Sequence, residues 1–194
     1  YGANPGAGTI RNDFASARYF ERDGLPDDDV KDVLADGDHA WLATNAGVVV
    51  LDRFGLIRRP TGAPTVANVL GTDGATIWVG TSDGVWRFDP SDSSWTDIGP
   101  DTRQIYGLTW DGTTMWAGST RNLCEYTGTG AVWNQFPMGS ITANYAFPSG
   151  GGANQARGLA VVENGDVYFG SVHVSEQRGA NLIRFDGTTM TNLF

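Results

Sequence analysis

Cysteine, histidine and lysine are scarce in this chain, and each scarcity makes a class of function harder to support. The 194 residues include one cysteine, two histidines and a single lysine, Lys31. The lone Cys124 cannot form an intramolecular disulfide or a cysteine-rich zinc cluster. A zinc site would need carboxylates beside His39 and His173, and no paired-histidine spacing occurs. We therefore expect no metal site and no cofactor.

Long apolar runs and clusters of basic residues are also missing. No run of about 18 apolar residues occurs, so we expect no membrane span. No basic-then-apolar leader stands at Tyr1, although a removed signal remains compatible with the sequence. The net charge is −9, with 22 acidic and 13 basic residues, whereas nucleic-acid binding needs clustered basic side chains. We expect no nucleic-acid partner.

Glycine is abundant, and its spacing indicates the class of fold. The 27 glycines are scattered at intervals instead of forming a low-complexity tract, which predicts many tight turns and an all-β protein. The most regular stretch, residues 74–99, has three short apolar runs separated by turn residues. Its tryptophans are Trp78, Trp86 and Trp95.

The rest of the chain repeats that stretch. An aromatic residue is followed by a small residue two positions later and then by a hydroxyl residue, in motifs that begin at Trp41, Trp78, Trp116 and Tyr168. One apolar run precedes each motif and two follow it, with an Asp/Gly or Asn/Gly turn just before the aromatic. Four short strands in a repeat of about 40 residues are typical of a β-propeller blade.

This pattern predicts the domain organisation. We expect an irregular arm or linker at 1–13, an outer strand at 14–22, and propeller blades within 14–194, in repeat units at about 30–65, 66–104, 105–155 and 156–194. The extra outer strand leaves three arrangements open. The chain could be an excerpt of a larger ring, four blades that associate with another copy, or a self-closed ring of four blades.

The repeats resemble those of a known family. Leu25-Pro26 is followed by Val30, an Asp/Gly turn and the segment Trp41-Leu42-Ala43-Thr44, and the second unit contains Val85-Trp86-Arg87-Phe88-Asp89. These segments are similar to the repeats of two-component-regulator sensor propellers, and the similarity extends from Asp23 to Phe194. The resemblance implies a WD40-like propeller fold and a sensor or surface-display context.

The aromatic anchors and the acidic turns have structural interpretations. Aromatic residues at fixed blade positions fill the space between neighbouring blades, so we expect Trp41, Trp78, Trp116 and Tyr168 to be packing residues. The acidic segments 27–29 and 36–39 could offer oxygen ligands to calcium, but they fit turn chemistry better. No nucleophile elbow or phosphate-binding loop is present, so we assign no catalytic residue.

The fourth unit departs most from the repeat, and we place the candidate site there. Two long loops, 137–156 and 172–180, are expected at the same face of the blades, where long loops commonly carry function. The predicted recognition patch comprises Tyr145, Phe147, Asn154, Gln155, Arg157, His173, Glu176, Gln177 and Arg178. The alternative is that both loops are tolerated insertions or contacts to a further blade.

The sequence thus favours a non-enzymatic binding or interaction module. We expect it to be extracellular, periplasmic or displayed on a surface, with a protein or carbohydrate partner bound through the two loops. Homo-oligomers or association with further blades would fit the same pattern. One alternative is a structural component of an appendage, adhesin or virion fibre. Another is a lyase or glycosidase that uses His173, Glu176 and Arg178.

Overall fold

The chain is built from β-sheets throughout its described part. The computed structural model describes residues 8–10, 16–100, 104–138, 154–161, 165–173 and 181–193. It contains four antiparallel sheets of four strands each, together with a two-stranded sheet. This confirms the predicted all-β propeller fold with four blades. The chain divides into two compact units, 1–70 and 71–194.

The first unit contains an N-terminal hairpin and the first blade. The hairpin pairs Gly8–Ile10 with Ser16–Arg18, and a short 3-10 helix follows at Glu21–Asp23. The strands of the first blade are Val30–Asp36, His39–Thr44, Gly47–Asp52 and Ile57–Arg58. Leu42, Val49 and Leu51 form its core together with Tyr19 and Leu25, which precede the blade in the chain.

The N-terminal strand differs from the prediction of an outer strand at 14–22. Within the described residues it comprises Ser16–Arg18 and pairs with Gly8–Ile10, a segment predicted to be irregular. The chain then turns, because the Asp23 carboxylate accepts a hydrogen bond from the Phe20 N–H at 3.0 Å. Gly24, with φ +107, continues this turn in a conformation that favours glycine. Tyr19 and Leu25 are thereby brought onto the sheet of the first blade.

The second unit contains the other three blades, and the boundary between the units falls within the strand Val69–Thr72. The second blade comprises Val69–Thr72, Ile77–Gly80, Val85–Asp89 and Ser94–Gly99. The third comprises Ile105–Trp110, Met115–Ser119, Asn122–Tyr126 and Trp133–Pro137. The fourth comprises Asn154–Val161, Val167–His173, Asn181–Phe185 and Met190–Asn192. All three sheets pair consecutive strands.

The same pentapeptide, DGTTM, forms a turn in two different hairpins. It joins the first and second strands of the third blade from Asp111, and the third and fourth strands of the fourth blade from Asp186. In both turns one aspartate oxygen accepts hydrogen bonds from the two following threonine N–H groups, at 2.7 to 3.0 Å. The turn is therefore local in origin, because Asp binds the backbone that follows it.

Three of the four anchors are buried packing residues, as the repeat predicted. Trp41 is 6% exposed, Trp78 2% and Trp116 6%. The Trp78 ring makes edge contacts with Tyr126 and Trp133 of the third blade, at centroid distances of 5.2 and 6.4 Å. Tyr168, the anchor of the fourth blade, is half-buried.

The third and fourth blades approach each other more closely than the second and third blades do. The Trp116 ring contacts Phe185 at a centroid distance of 6.0 Å. A Cβ placed on Gly118 would lie 2.6 Å from the Ala156 carbonyl oxygen, so this position has room only for glycine. The small residue in the repeat motif therefore has a packing role in the third blade.

Candidate functional site

A cleft of about 490 Å³ opens between the second and third blades, and we call it the Trp78 cleft. Its lining combines aromatic, charged and hydroxyl side chains: Asp73, Trp78, Arg87, Trp110, Thr113, Thr114, Glu125, Tyr126, Thr127, Gly128 and Asn134. Its volume lies in the range of small-molecule sites, about 300–1,000 Å³. The lining comes from the turns that join first to second strands and third to fourth strands, together with the ends of those strands.

Asp73 fixes the turn at one side of the cleft. One of its oxygens accepts hydrogen bonds from the backbone N–H groups of Ala75 and Thr76, at 2.9 and 2.7 Å. The other accepts from the Thr76 hydroxyl at 2.8 Å and from Trp78 Nε1 at 3.0 Å. Because a carboxylate offers about four acceptor sites, Asp73 is saturated by its own turn.

These contacts also determine the charge of Asp73. Burial alone would raise its pKa, but the hydrogen bonds from Thr76, Ala75 and Trp78 outweigh burial and hold the pKa below the usual value for Asp. The pKa of Asp111 in the third blade is shifted for the same kind of reason. Burial again opposes hydrogen bonds, of which the largest comes from Trp116, and the pKa is again lowered. Both aspartates therefore carry a negative charge at neutral pH.

The apolar part of the cleft is aromatic. Trp78 and Tyr126 are largely buried, whereas Trp110 is half-buried. The Tyr126 hydroxyl donates a hydrogen bond to the Gly130 carbonyl at 3.0 Å, so this ring is held in place. Trp110 therefore has the most exposed of the three rings, and an aromatic ring of this kind can pack against the C–H groups of a ligand.

Arg87 is the cation of the cleft. It lies opposite Trp78 in the register of the second blade, and its guanidinium carbon is 5.8 Å from the centre of the Trp78 ring. Across the cleft, Glu125 accepts a hydrogen bond from the Asn134 amide at 3.0 Å. Within the part of the chain that the structure describes, the Arg87 guanidinium makes no hydrogen bond or ion pair.

The predicted recognition patch is described only in part. Tyr145, Phe147, Glu176, Gln177 and Arg178 lie outside the described residues. The other four members belong to the first two strands of the fourth blade: Asn154, Gln155, Arg157 and His173. Asn154 lies directly opposite His173 in the register, and Arg157 lies opposite Gly170. The structure thus brings Asn154 and His173 together, on strands that extend into both predicted loops.

The Trp78 cleft lies at the strand ends opposite to those that carry Asn154 and His173. The loops 137–156 and 172–180 follow fourth and second strands, whereas the cleft is lined by turns that follow first and third strands. Sequence reasoning missed the cleft because these turns are short and regular. The available signal was the spacing of Asp73, Gly74 and Trp78, which recurs at Asp111, Gly112 and Trp116.

Among the residues with described positions, no group of three or more His, Cys, Asp or Glu side chains could hold a metal ion. Within the same part of the chain, a helix suited to crossing a membrane is not found.

Solved structures share this fold, although the sequence itself matches no known protein family and no curated protein. The extracellular domain of the hybrid two-component system BT4673 from B. thetaiotaomicron is 22% identical, with a TM-score of 0.63 over 84% of this chain. The extracellular domain of BT3049 from the same organism is 12% identical, with a TM-score of 0.64 over 88% of this chain. An ancestral GH74 enzyme is 14% identical, with a TM-score of 0.69 over 88% of this chain.

This chain spans 22% and 23% of the two sensor domains and 26% of the GH74 enzyme. At such low identities the likeness shows the fold alone. It confirms the predicted similarity to sensor propellers at that level: the chain has the blade architecture found in extracellular sensor domains and in a propeller enzyme.

Proposed function

We propose that this chain is a non-enzymatic binding module of a propeller displayed outside the cytoplasm, and that it binds a small polar ligand in the Trp78 cleft. The observation that carries the proposal is the lining of the cleft, where aromatic rings stand beside Arg87, Glu125 and Asn134. Apolar walls with a few convergent polar groups are typical of ligand sites. A carbohydrate is one ligand of this character.

The charges of the carboxylates favour binding over catalysis. Hydrolysis of a glycoside uses a carboxyl group whose raised pKa keeps it protonated near neutral pH. Five described carboxyl groups have a pKa lowered from the ordinary value, namely Asp52, Asp73, Asp89, Asp111 and Asp186, and Asp73 is the one of these that lines the cleft. In the cleft, Asp73 is engaged by four donors and has no free acceptor site for a substrate.

The fold supports the proposed location. Two of the similar structures are extracellular domains of two-component systems, so a sensor role outside the cytoplasm fits this architecture. The GH74 structure shows that the same architecture also occurs in an enzyme. Because fold does not determine function, the lining of the cleft carries more weight here than either likeness.

The loops 137–156 and 172–180 remain a second proposed surface, for a protein partner. The pairing of Asn154 with His173 favours this surface, because it places two residues of the predicted patch opposite each other at the ends of their strands. The described residues of this surface, Asn154 and His173, stand at the opposite strand ends from those that line the Trp78 cleft. Blocking one should therefore leave binding at the other unchanged.

A substitution that fills the cleft tests the proposal. Asn134 is exposed and lines the cleft, so Asn134→Trp should occupy the space without disturbing the core. Thr191→Trp, at an exposed strand position of the fourth blade, is the matched control. The three proteins are screened by thermal shift against monosaccharides, sugar acids, amino acids and small organic acids.

We expect at least one compound to raise the melting temperature of the wild-type and T191W proteins but not of the N134W protein. At ten times its Kd, such a ligand stabilises the native state by about 1.4 kcal/mol. A compound that stabilises N134W equally would bind elsewhere, and the loop surface would be the first place to look. Failure of every compound would contradict the proposal.

A further inference from the structure

We infer that Arg87 is the anion-binding residue of the Trp78 cleft and that the ligand is a sugar acid, a hydroxylated ring with a single carboxylate. This inference rests on the proposed binding function of the cleft and names its ligand class. It begins from two arginines that occupy the same blade position.

Arg87 and Arg184 are equivalent in sequence and in register. Each precedes Phe-Asp in the third strand of its blade, and each lies opposite the aromatic anchor of the second strand, Trp78 or Tyr168. Arg184 has a partner, because its Nε lies 2.6 Å from a carboxylate oxygen of the buried Asp166. That aspartate stands two residues before the anchor of the fourth blade.

The second blade lacks this partner. Thr76 stands two residues before Trp78, and its hydroxyl is already bound to Asp73. Asp73 has no acceptor site left, and one oxygen of Glu125 is bound to Asn134. The guanidinium of Arg87 thus faces the cleft with its hydrogen-bond donors unused by the described side chains. A carboxylate fits this planar group, because two parallel hydrogen bonds can form.

The surroundings of Arg87 favour a single negative charge. Asp73 and Glu125 line the same cleft, and Asp89 lies two residues from Arg87 in its strand. A dianion such as phosphate would gain from one cation and be repelled by several carboxylates, whereas a carboxylate halves that repulsion. The aromatic walls and the Asn134 amide suit a ring that carries both C–H groups and hydroxyls.

The test uses glucuronate as the probe, with glucose and inorganic phosphate for comparison. Binding to the full chain is followed by NMR titration of backbone amides. Arg87→Gln removes the cation, and Arg58→Gln, at an exposed position in the first blade, removes the same charge outside the cleft. We expect glucuronate to shift amides of Arg87 and Trp110 and to bind at least about tenfold more tightly than glucose. R87Q should weaken glucuronate binding about tenfold, and R58Q less than twofold.

Several results would overturn the inference. They are glucose binding as tightly as glucuronate, phosphate binding more tightly than glucuronate, equal weakening by R87Q and R58Q, or no glucuronate binding at all. The broader proposal fails separately. It is contradicted only if no compound stabilises the wild-type protein more than the N134W protein. A neutral sugar that binds the wild-type protein but not N134W would refute the assigned ligand class and leave the cleft as the site.

Discussion

The second and fourth blades both pack against the third, but they make different contacts with it. The second blade meets it through large rings, with Trp78 against Tyr126 and Trp133. The fourth also makes ring contacts, with Phe185 against Trp116, and adds a close backbone approach, where Gly118 leaves no room for a Cβ beside Ala156. The Trp78 ring contact borders the Trp78 cleft.

The two neighbours also differ in how their charge is compensated. Arg184 in the fourth blade is bound by Asp166, whereas Arg87 in the second blade faces the cleft. A regular repeat can therefore contain the site that we propose, because Thr76 stands at the position of Asp166 and leaves the equivalent Arg87 without this ion-pair partner. The fourth unit is the most irregular in sequence. In the structure, the more informative feature is that Arg184 has an ion-pair partner and the equivalent Arg87 does not.

Among these predictions, removal of the Trp133 side chain should cause the largest loss in the free energy of unfolding. The Trp133 indole donates a buried hydrogen bond to the Ile98 carbonyl at 2.7 Å and packs against Tyr126. Trp133→Ala leaves a cavity and an unsatisfied carbonyl between the second and third blades. We expect the free energy of unfolding in urea to fall by about 3–5 kcal/mol. Val132→Ala, at a neighbour that is 57% exposed, should change it little. Equal losses would mean that the ring contact does not hold these blades together.

A methyl group at Gly118 tests the other contact. The added Cβ would clash with the Ala156 backbone, and we expect a loss of about 1–3 kcal/mol in the free energy of unfolding. Gly71→Ala is the matched change toward the second blade–third blade contact, where the nearest atom would be the Leu108 Cβ at 3.1 Å. The loss in the free energy of unfolding should be smaller for Gly71→Ala, because side chains adjust more easily than the backbone. If urea unfolding gives the same loss for both, the two contacts are equally tight and the contrast is wrong.

The smallest expected effect is on stability at acid pH. It is tested by comparing the aspartates of the two DGTTM turns, Asp111 and Asp186. The pKa of Asp111 is lowered, with burial outweighed by hydrogen bonds from Trp116 and its own turn, and that of Asp186 is lowered mainly by the Thr189 N–H. A lowered folded-state pKa gives stability that is present above about 3.9, the ordinary value for Asp. That stability is lost as the pH falls through the folded-state pKa.

Urea unfolding between about pH 5 and pH 2 should therefore become steadily easier for the wild-type protein. Asp111→Asn should flatten this dependence more than Asp186→Asn, because Asp111 also holds the Trp116 indole. Equal slopes in the two variants would show that the bond to Trp116 adds nothing to acid stability.

Much of the fold could be predicted from the sequence. The turns, the four-strand period and the burial of the tryptophan anchors follow from local chemistry, since Asp, Gly and alternating apolar residues determine turns and strands over a few positions. Strand ends were less accurate. The second repeat unit is predicted from about 66, and its first strand is Val69–Thr72; the fourth is predicted from about 156, and its first strand is Asn154–Val161. Pairing with a neighbouring strand extends or shortens a strand beyond its own pattern.

The site was the harder part. The residues of the predicted patch were chosen from loop length, and the five members outside the described residues remain a prediction. The sequence by itself determined that the chain forms blades and that Trp78 and Trp116 pack between them. Both Arg87 and Arg184 precede Phe-Asp, but only the tertiary structure showed that Arg184 is ion-paired to Asp166 while Arg87 makes no hydrogen bond or ion pair with a described residue. That difference depends on groups brought together across strands and blades, where distance and saturation of acceptors decide which charge stays available.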